Sequence, residues 1–155
     1  MRQIVLILDL DGVLITTPTW KKDVMHLDGY SDFNENCVAN LNQLLANYPI
    51  TIFLSSTRRT VKTLDEFNAI FQNRSIKQKI EGFLPLYENK TRKGELEQFV
   101  ADKGLKDFII IDDDKSTLGL PVEIKQKLVH TNLLDGFTEE KLEEAIQIIQ
   151  NNEKH

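Results

Sequence analysis

Three short apolar runs, each cut off by residues that cannot sit in a hydrophobic core, constrain this 155-residue chain more than any other feature. Ile4-Val5-Leu6-Ile7-Leu8 stops at Asp9-Leu10-Asp11-Gly12; Ile50-Thr51-Ile52-Phe53-Leu54 stops at Ser55-Ser56-Thr57; Phe108-Ile109-Ile110-Ile111 stops at Asp112-Asp113-Asp114. Unbroken β-branched runs of this kind read as strands buried on both faces, the habit of parallel sheets. Between them, apolar residues recur at helical spacing: Val38, Leu41, Leu44 and Leu45; then Val61, Leu64, Phe67, Ile70 and Phe71; then Leu96, Phe99 and Val100, with Gly104 placed to end that helix. A short strand near Leu128-Val129-His130 precedes Thr138, positioned to cap a terminal helix carrying Glu139, Glu140, Leu142, Ala145, Ile146 and Ile149. Such alternation predicts right-handed βαβ units. The expected class is α/β: a three-layer Rossmann-like sandwich, its mostly parallel sheet covered by helices on both faces.

Length and charge narrow the rest. A chain of this size buries about 70% of the surface its unfolded form exposes, so residues 1–155 are expected to form one domain. With 19 Lys+Arg against 24 Asp+Glu the formal charge is −5, which argues against broad duplex binding through a basic surface. The single cysteine, Cys37, excludes an internal disulfide and a thiolate metal cluster, fits a reducing, cytoplasmic setting, and reads as core or boundary packing. His26, His130 and His155 show no ligand spacing. The run Ile4 to Leu8 is too short for a membrane span or a signal-peptide core.

In open parallel sheets, ligands bind beyond the carboxyl ends of the strands. That rule gathers Asp9, Asp11, Ser55, Ser56, Asp112, Asp113 and Asp114 at one edge from positions spread along the whole chain. Asp9 and Asp11 are separated by one residue, so continued strand geometry points both carboxylates to the same side, and Gly12 permits a sharp exit. Clustered carboxylates repel one another unless a cation neutralises them, and an all-oxygen set suits Mg²⁺. A carboxylate there can serve as ligand, base or nucleophile toward a group the metal also grips, of which phosphoryl is the commonest. Ser55 or Ser56 offers donors at the next strand end, and Lys90, Arg92 or Lys93 can balance the oxygens' charge. The irregular stretch 16–33, with Pro18, Trp20, Gly29 and Tyr30, is expected to form a flap over that edge.

The order and spacing of Asp9-Leu10-Asp11-Gly12-Val13, a Ser after the second strand, a basic residue at a helix start and Asp112-Asp113 resemble the four motifs of the haloacid dehalogenase (HAD) superfamily, over essentially the whole chain. More narrowly, Leu54-Ser55-Ser56-Thr57-Arg58-Arg59, the Arg92…Glu95-Leu96 pair and Ile111-Asp112-Asp113-Asp114 are similar to the phosphatase-like domain of Swiss Army Knife RNA repair proteins. That family usually carries Trp where Arg58 stands here, while Arg59 fits its basic position. The resemblance implies an aspartyl-phosphate phosphatase. On that resemblance Asp9 would be the nucleophile and Asp11 the acid and then base, Ser55 would bond a phosphate oxygen and Arg92 would stabilise the transferring group. The Asp9 carboxylate, the Asp11 carbonyl and Asp112, helped by Asp113, hold Mg²⁺. Ser56, Arg59, Gly12 and Lys93 complete the expected substrate contacts, with Lys90 and Lys93 as alternatives to Arg92 and Ser56 as an alternative to Ser55.

Neither interval that usually carries a cap is long enough for one, and an open site suits a bulky or macromolecular phosphoester such as a nucleic-acid end. Arg58, Arg59, Lys62, Arg74, Lys77 and Lys79 are then candidates to track a phosphate backbone. Simpler readings stand beside these. Ser55, Ser56 or Thr57 can cap the next helix, Arg92 can pair with acids on its own helix, and the basic residues can form a solvated face. Trp20 and Tyr30 either stack substrate or pin the flap. The competing functions are a small-molecule phosphatase for nucleotides or sugar phosphates and a non-catalytic phosphate-binding or regulatory module. Partners beyond a phosphorylated substrate, and the oligomeric state, are not encoded in any motif.

Overall fold

Strands form where the apolar runs stand, and their lateral order follows from how the chain returns. The computed structural model describes residues 3–18, 20–88 and 90–153; Thr19, inside the expected flap, and His155 lie outside them. Its elements are β1 (Ile4–Leu8), α1 (Glu35–Asn47), β2 (Ile50–Leu54), α2 (Leu64–Asn73), β3 (Ile80–Phe83), α3 (Arg92–Lys103), β4 (Phe108–Asp112), α4 (Val122–Lys125), β5 (Leu128–His130) and α5 (Glu139–Glu153). All pairings are parallel, in the order β3-β2-β1-β4-β5. The chain builds outward from β1 through β2 to β3, then crosses back to lay β4 on the other side of β1. The switch in direction therefore falls between β1 and β4, where such sheets open a crevice at their carboxyl ends.

The two faces of the sheet bury different side chains because successive residues alternate. Ile4, Leu6, Leu8, Ile52, Leu54, Ile109 and Ile111 join Leu41 and Leu44 of α1, Phe67 and Phe71 of α2 and Leu142 and Ile149 of α5. Ile7, Phe108 and Ile110 face Leu96 and Phe99 of α3, with Leu120 before α4. The result is the expected Rossmann-like α/β layering, and no cap domain stands among the described residues. No described helix is long and apolar enough to cross a membrane.

Helix boundaries follow the caps. The Asn34 side chain accepts from the backbone N–H groups of Asn36 and Cys37 at the start of α1, Thr91 accepts from Gly94 at the start of α3, and Thr138 accepts from Lys141 in α5. Gly104 closes α3 in the left-handed conformation, φ 59°, donating to Ala101 and Val100 carbonyls. Two expectations change. The second helix does not include Val61, which is 71% exposed: Thr63 and Glu66 form a reciprocal capping box, so α2 begins at Leu64, after a 3-10 turn over Thr57–Thr60. β3 is a strand that no apolar run announces: its Ile80-Glu81-Gly82-Phe83 is short, lies at the sheet edge and has a register shift against Ile52/Phe53.

The flap is ordered by a small turn: the His26 N–H donates to Tyr30 O, Gly29 sits at φ 83°, and Met25 bridges Ser31. Tyr30 meets Phe67 edge-on at 5.9 Å, and Phe67 meets Phe83 at 5.8 Å. Trp20, by contrast, is 74% exposed. Phe67 thus joins the flap, α2 and β3, and Phe67→Ala is expected to destabilise the protein by about 3–5 kcal/mol. Urea unfolding followed by circular dichroism measures it, and a loss under about 1 kcal/mol would contradict this placement.

Candidate active site

Register alone brings the site residues together. Leu8 is opposite Leu54 on one side and Ile111 on the other, so Asp9, Ser55 and Asp112 stand side by side as the next residue of three adjacent strands. The ladder continues through them: the Asp9 N–H donates to Ile111 O at 3.1 Å and the Ser55 N–H to Leu8 O at 2.9 Å. Asp112 and Ser55 are fully buried, and Asp9 nearly so.

One carboxylate oxygen from each of Asp9, Asp112 and Asp113 lies within 4.8 Å of the others, a set that could hold a metal ion. Burial raises the Asp9 pKa well above its usual range; Asp112 pushes it further up, and Arg92 only partly opposes this. Burial, then Asp112, raises Asp113 from 3.8 to about 6. Carboxyls under this strain fit a divalent cation, whose charge removes the repulsion and whose hardness suits oxygen donors. Asp11 contributes no carboxylate to the cluster, because both its oxygens turn to Arg58, which donates from Nε at 2.8 Å and Nη2 at 2.9 Å.

Gly12 is required on two counts. Its φ is +76°, and a Cβ built there would lie 2.1 Å from the Asp113 carboxylate. The Thr131 hydroxyl donates to the Gly12 carbonyl at 2.5 Å, fixing the loop that carries Asp9 and Asp11. Nothing in the sequence flagged Thr131, 119 residues away.

Of the three candidate cations, Arg92 is the one brought to the cluster. Its Nη1 lies 2.6 Å from Asp112 Oδ2 and 3.3 Å from Asp9 Oδ2. Burial by itself would lower its pKa, but Asp112 and Asp9 outweigh that and raise it. Lys93 departs from expectation: its ammonium pairs with Glu97 one turn along α3, at 2.8 Å, while its backbone N–H bonds Ser116. The stem of Lys90 lies against Gly94 in the first turn of α3.

The two serines separate in the same way. Ser56 caps the 3-10 turn, its Oγ accepting from the Arg58 N–H at 3.2 Å. The Ser55 Oγ is buried with no hydrogen-bond partner, a costly state unless a ligand atom completes it.

Arg59, expected among the substrate contacts, has its donors engaged within the protein. It is buried, donates to the carbonyls of Leu84, Ser55, Ser56 and Pro85, and pairs with Glu95 at 2.8 Å. Glu95 also lies 3.7 Å from Arg92 Nε. Arg74 is likewise committed: it forks onto Asp28 at 2.6 and 2.9 Å and stacks over Phe33. Arg58, Arg59 and Arg74, three of the six cations named as candidates for a backbone track, are therefore engaged internally. Cys37 is buried, as expected of a packing residue, and burial raises its pKa.

The family model for the HAD domain in Swiss Army Knife RNA repair proteins matches residues 5–142. The chain belongs to this family. HAD membership suggests a phosphatase-type hydrolase, in which a divalent metal is typical. No match was found among curated proteins.

The raised Asp113 pKa has a consequence for the metal-free protein. The folded form keeps a proton up to about pH 6 that the unfolded chain releases near 3.8, so this group costs stability progressively as pH rises through that window. A cation that replaces the proton restores the loss. Adding Mg²⁺ is therefore expected to raise the melting temperature more at pH 7.5 than at pH 5, and not at all in Gly12→Ala. Equal shifts at both pH values would contradict the cluster as the binding site.

Proposed function

We propose that this HAD domain is a Mg²⁺-dependent phosphohydrolase working through an aspartyl-phosphate. The observation that carries the reading is the Ser55 hydroxyl, fully buried, unpartnered and one strand over from the nearly buried Asp9, beside Arg92. A phosphoryl oxygen is the acceptor that would complete it.

In this reading an Asp9 carboxylate oxygen attacks phosphorus. The bond to the leaving oxygen breaks, and that oxygen takes its electron pair and a proton from Asp11. Asp11 then accepts a proton from water, whose oxygen attacks the same phosphorus and returns Asp9 as a free carboxylate. Ser55 donates to a non-bridging oxygen, and Arg92 offsets the charge that gathers on the group in flight. Asp9, Asp112 and Asp113, with the Asp11 carbonyl, would hold Mg²⁺, which supplies charge neutralisation between the carboxylates and the phosphoryl oxygens.

For substrate we favour a bulky phosphoester such as a nucleic-acid end. The absence of a cap among the described residues and the RNA repair proteins in which the family is described support it. A second reading, a phosphatase of nucleotides or sugar phosphates, is favoured by the internal engagement of Arg58, Arg59 and Arg74, which leaves fewer cations for a polymer backbone.

Phosphate release from p-nitrophenyl phosphate, nucleotides, and 5′- and 3′-phosphorylated oligonucleotides, each with Mg²⁺ or EDTA, tests both. Wild type is expected to require Mg²⁺, Asp9→Asn to lose all release, and Ser55→Ala to fall by about 10²-fold in kcat. The preferred substrate separates polymer ends from small molecules. Silence across the whole panel would favour a non-catalytic phosphate-binding module.

A further inference from the structure

Arg58 stands outside the chemistry just described, yet all five of its N–H donors are used. Nε and Nη2 fork onto Asp11; Nη2 also donates to Asp23 at 3.1 Å; Nη1 donates to the Tyr30 hydroxyl at 3.2 Å and to Ser31 Oγ at 3.1 Å. Its guanidinium lies 5.6 Å from the Tyr30 ring centroid. One side of this fork is the loop after β1, and the other is the flap. Ser31 in turn bonds Asp23, so the flap residues facing Arg58 are joined to each other as well as to the guanidinium.

The flap has a second anchor of different character. Arg74, more deeply buried than Arg58, holds Asp28 and the carbonyls of Tyr30 and Ser31 without touching any residue of the site. Arg74 thus secures the flap to α2 whatever happens at the strand ends, whereas Arg58, partly open to solvent, secures it to Asp11.

We propose that Arg58 is a positioning residue that makes the seating of the flap and the orientation of Asp11 one event. With the flap seated, Asp23, Tyr30 and Ser31 fix the guanidinium plane, and that plane fixes both carboxylate oxygens of Asp11. Losing the flap contacts leaves the Asp11 carboxylate without a fixed orientation, and losing Asp11 releases the part of the flap that Arg58 holds, while Asp28 and the Tyr30 and Ser31 carbonyls stay with Arg74. The proposal rests on the phosphatase reading for its effect on rate, but the mechanical coupling itself does not.

Two measurements keep these apart. Backbone hydrogen exchange over residues 23–31 needs no turnover: Asp11→Asn, a change outside the flap, is expected to speed exchange there roughly tenfold while leaving the strands unaffected. Arg58→Lys, which keeps the charge but loses the fork, is expected to do the same. On p-nitrophenyl phosphate, the flap variants Asp23→Asn and Tyr30→Phe, neither of which touches Asp11, are expected to lower kcat about tenfold with KM within twofold and an unchanged melting temperature. Unchanged flap exchange in both Asp11→Asn and Arg58→Lys overturns the proposal, as does undiminished kcat in both flap variants. Wild type without any turnover would sink the phosphatase reading and leave hydrogen exchange to decide the coupling.

Discussion

The repulsion among Asp9, Asp112 and Asp113 is the constraint that the rest of the site answers. Strand register places Asp9 and Asp112 as neighbours at the switch point, where Asp112 is shut off from bulk water and Asp9 nearly so. Two carboxylates in such a place cannot both ionise cheaply, and a third within 4.8 Å compounds the cost. The fold answers first with a buried guanidinium. Arg92 reaches both carboxylates from the start of α3, which Thr91 caps at that position. Even so, Asp9 and Asp113 remain raised, because burial disfavours their charged forms and Asp112 repels both, and at Asp9 the guanidinium only partly opposes this. The remaining imbalance is what makes the site receptive to a further positive charge.

That Arg92 is an arginine rather than a lysine has structural weight. A fork can meet Asp112 and Asp9 through one nitrogen while Nε stays near Glu95, and Glu95 carries the connection to Arg59. Arg59 in turn donates to the carbonyls of Ser55 and Ser56. A continuous polar chain therefore runs from the acidic cluster to the backbone that holds the unpartnered Ser55 hydroxyl. A lysine ammonium has three donors but one nitrogen, so it lacks the second nitrogen that lies near Glu95.

Much of this was legible in the sequence because strand ends are legible. The three apolar runs gave β1, β2 and β4, and the sheet rule then gathered Asp9, Ser55 and Asp112 without any knowledge of side-chain geometry. What stayed hidden was pairing across long separations. Arg58 and Asp11 are 47 residues apart, and Arg74 and Asp28 are 46 apart. In a list of residues each looks like an exposed charge. The cations named as a possible backbone track illustrate this: Arg58, Arg59 and Arg74 look available in the sequence but pair with acids of the same chain. β3 escaped for a different reason. Glu81 and Gly82 interrupt its apolar pattern, and an edge strand with a register shift does not need the continuous burial that makes a central strand conspicuous.

The placement of the arginines also bears on how an acidic chain could admit an acidic group. Net charge sets the long-range field, but the local field at the carboxyl ends of β1, β2 and β4 is set by which charges are fixed there and how dry the surroundings are. Three of the arginines lie in low-dielectric positions, each with a carboxylate partner, so none adds a free positive surface. Of these, only Arg92 has partners in the carboxylate set that could hold a metal ion. A cation entering among Asp9, Asp112 and Asp113 would compete with Arg92 for those same oxygens. The guanidinium would then have donors to spare, and metal loading would redistribute the positive charge at these strand ends.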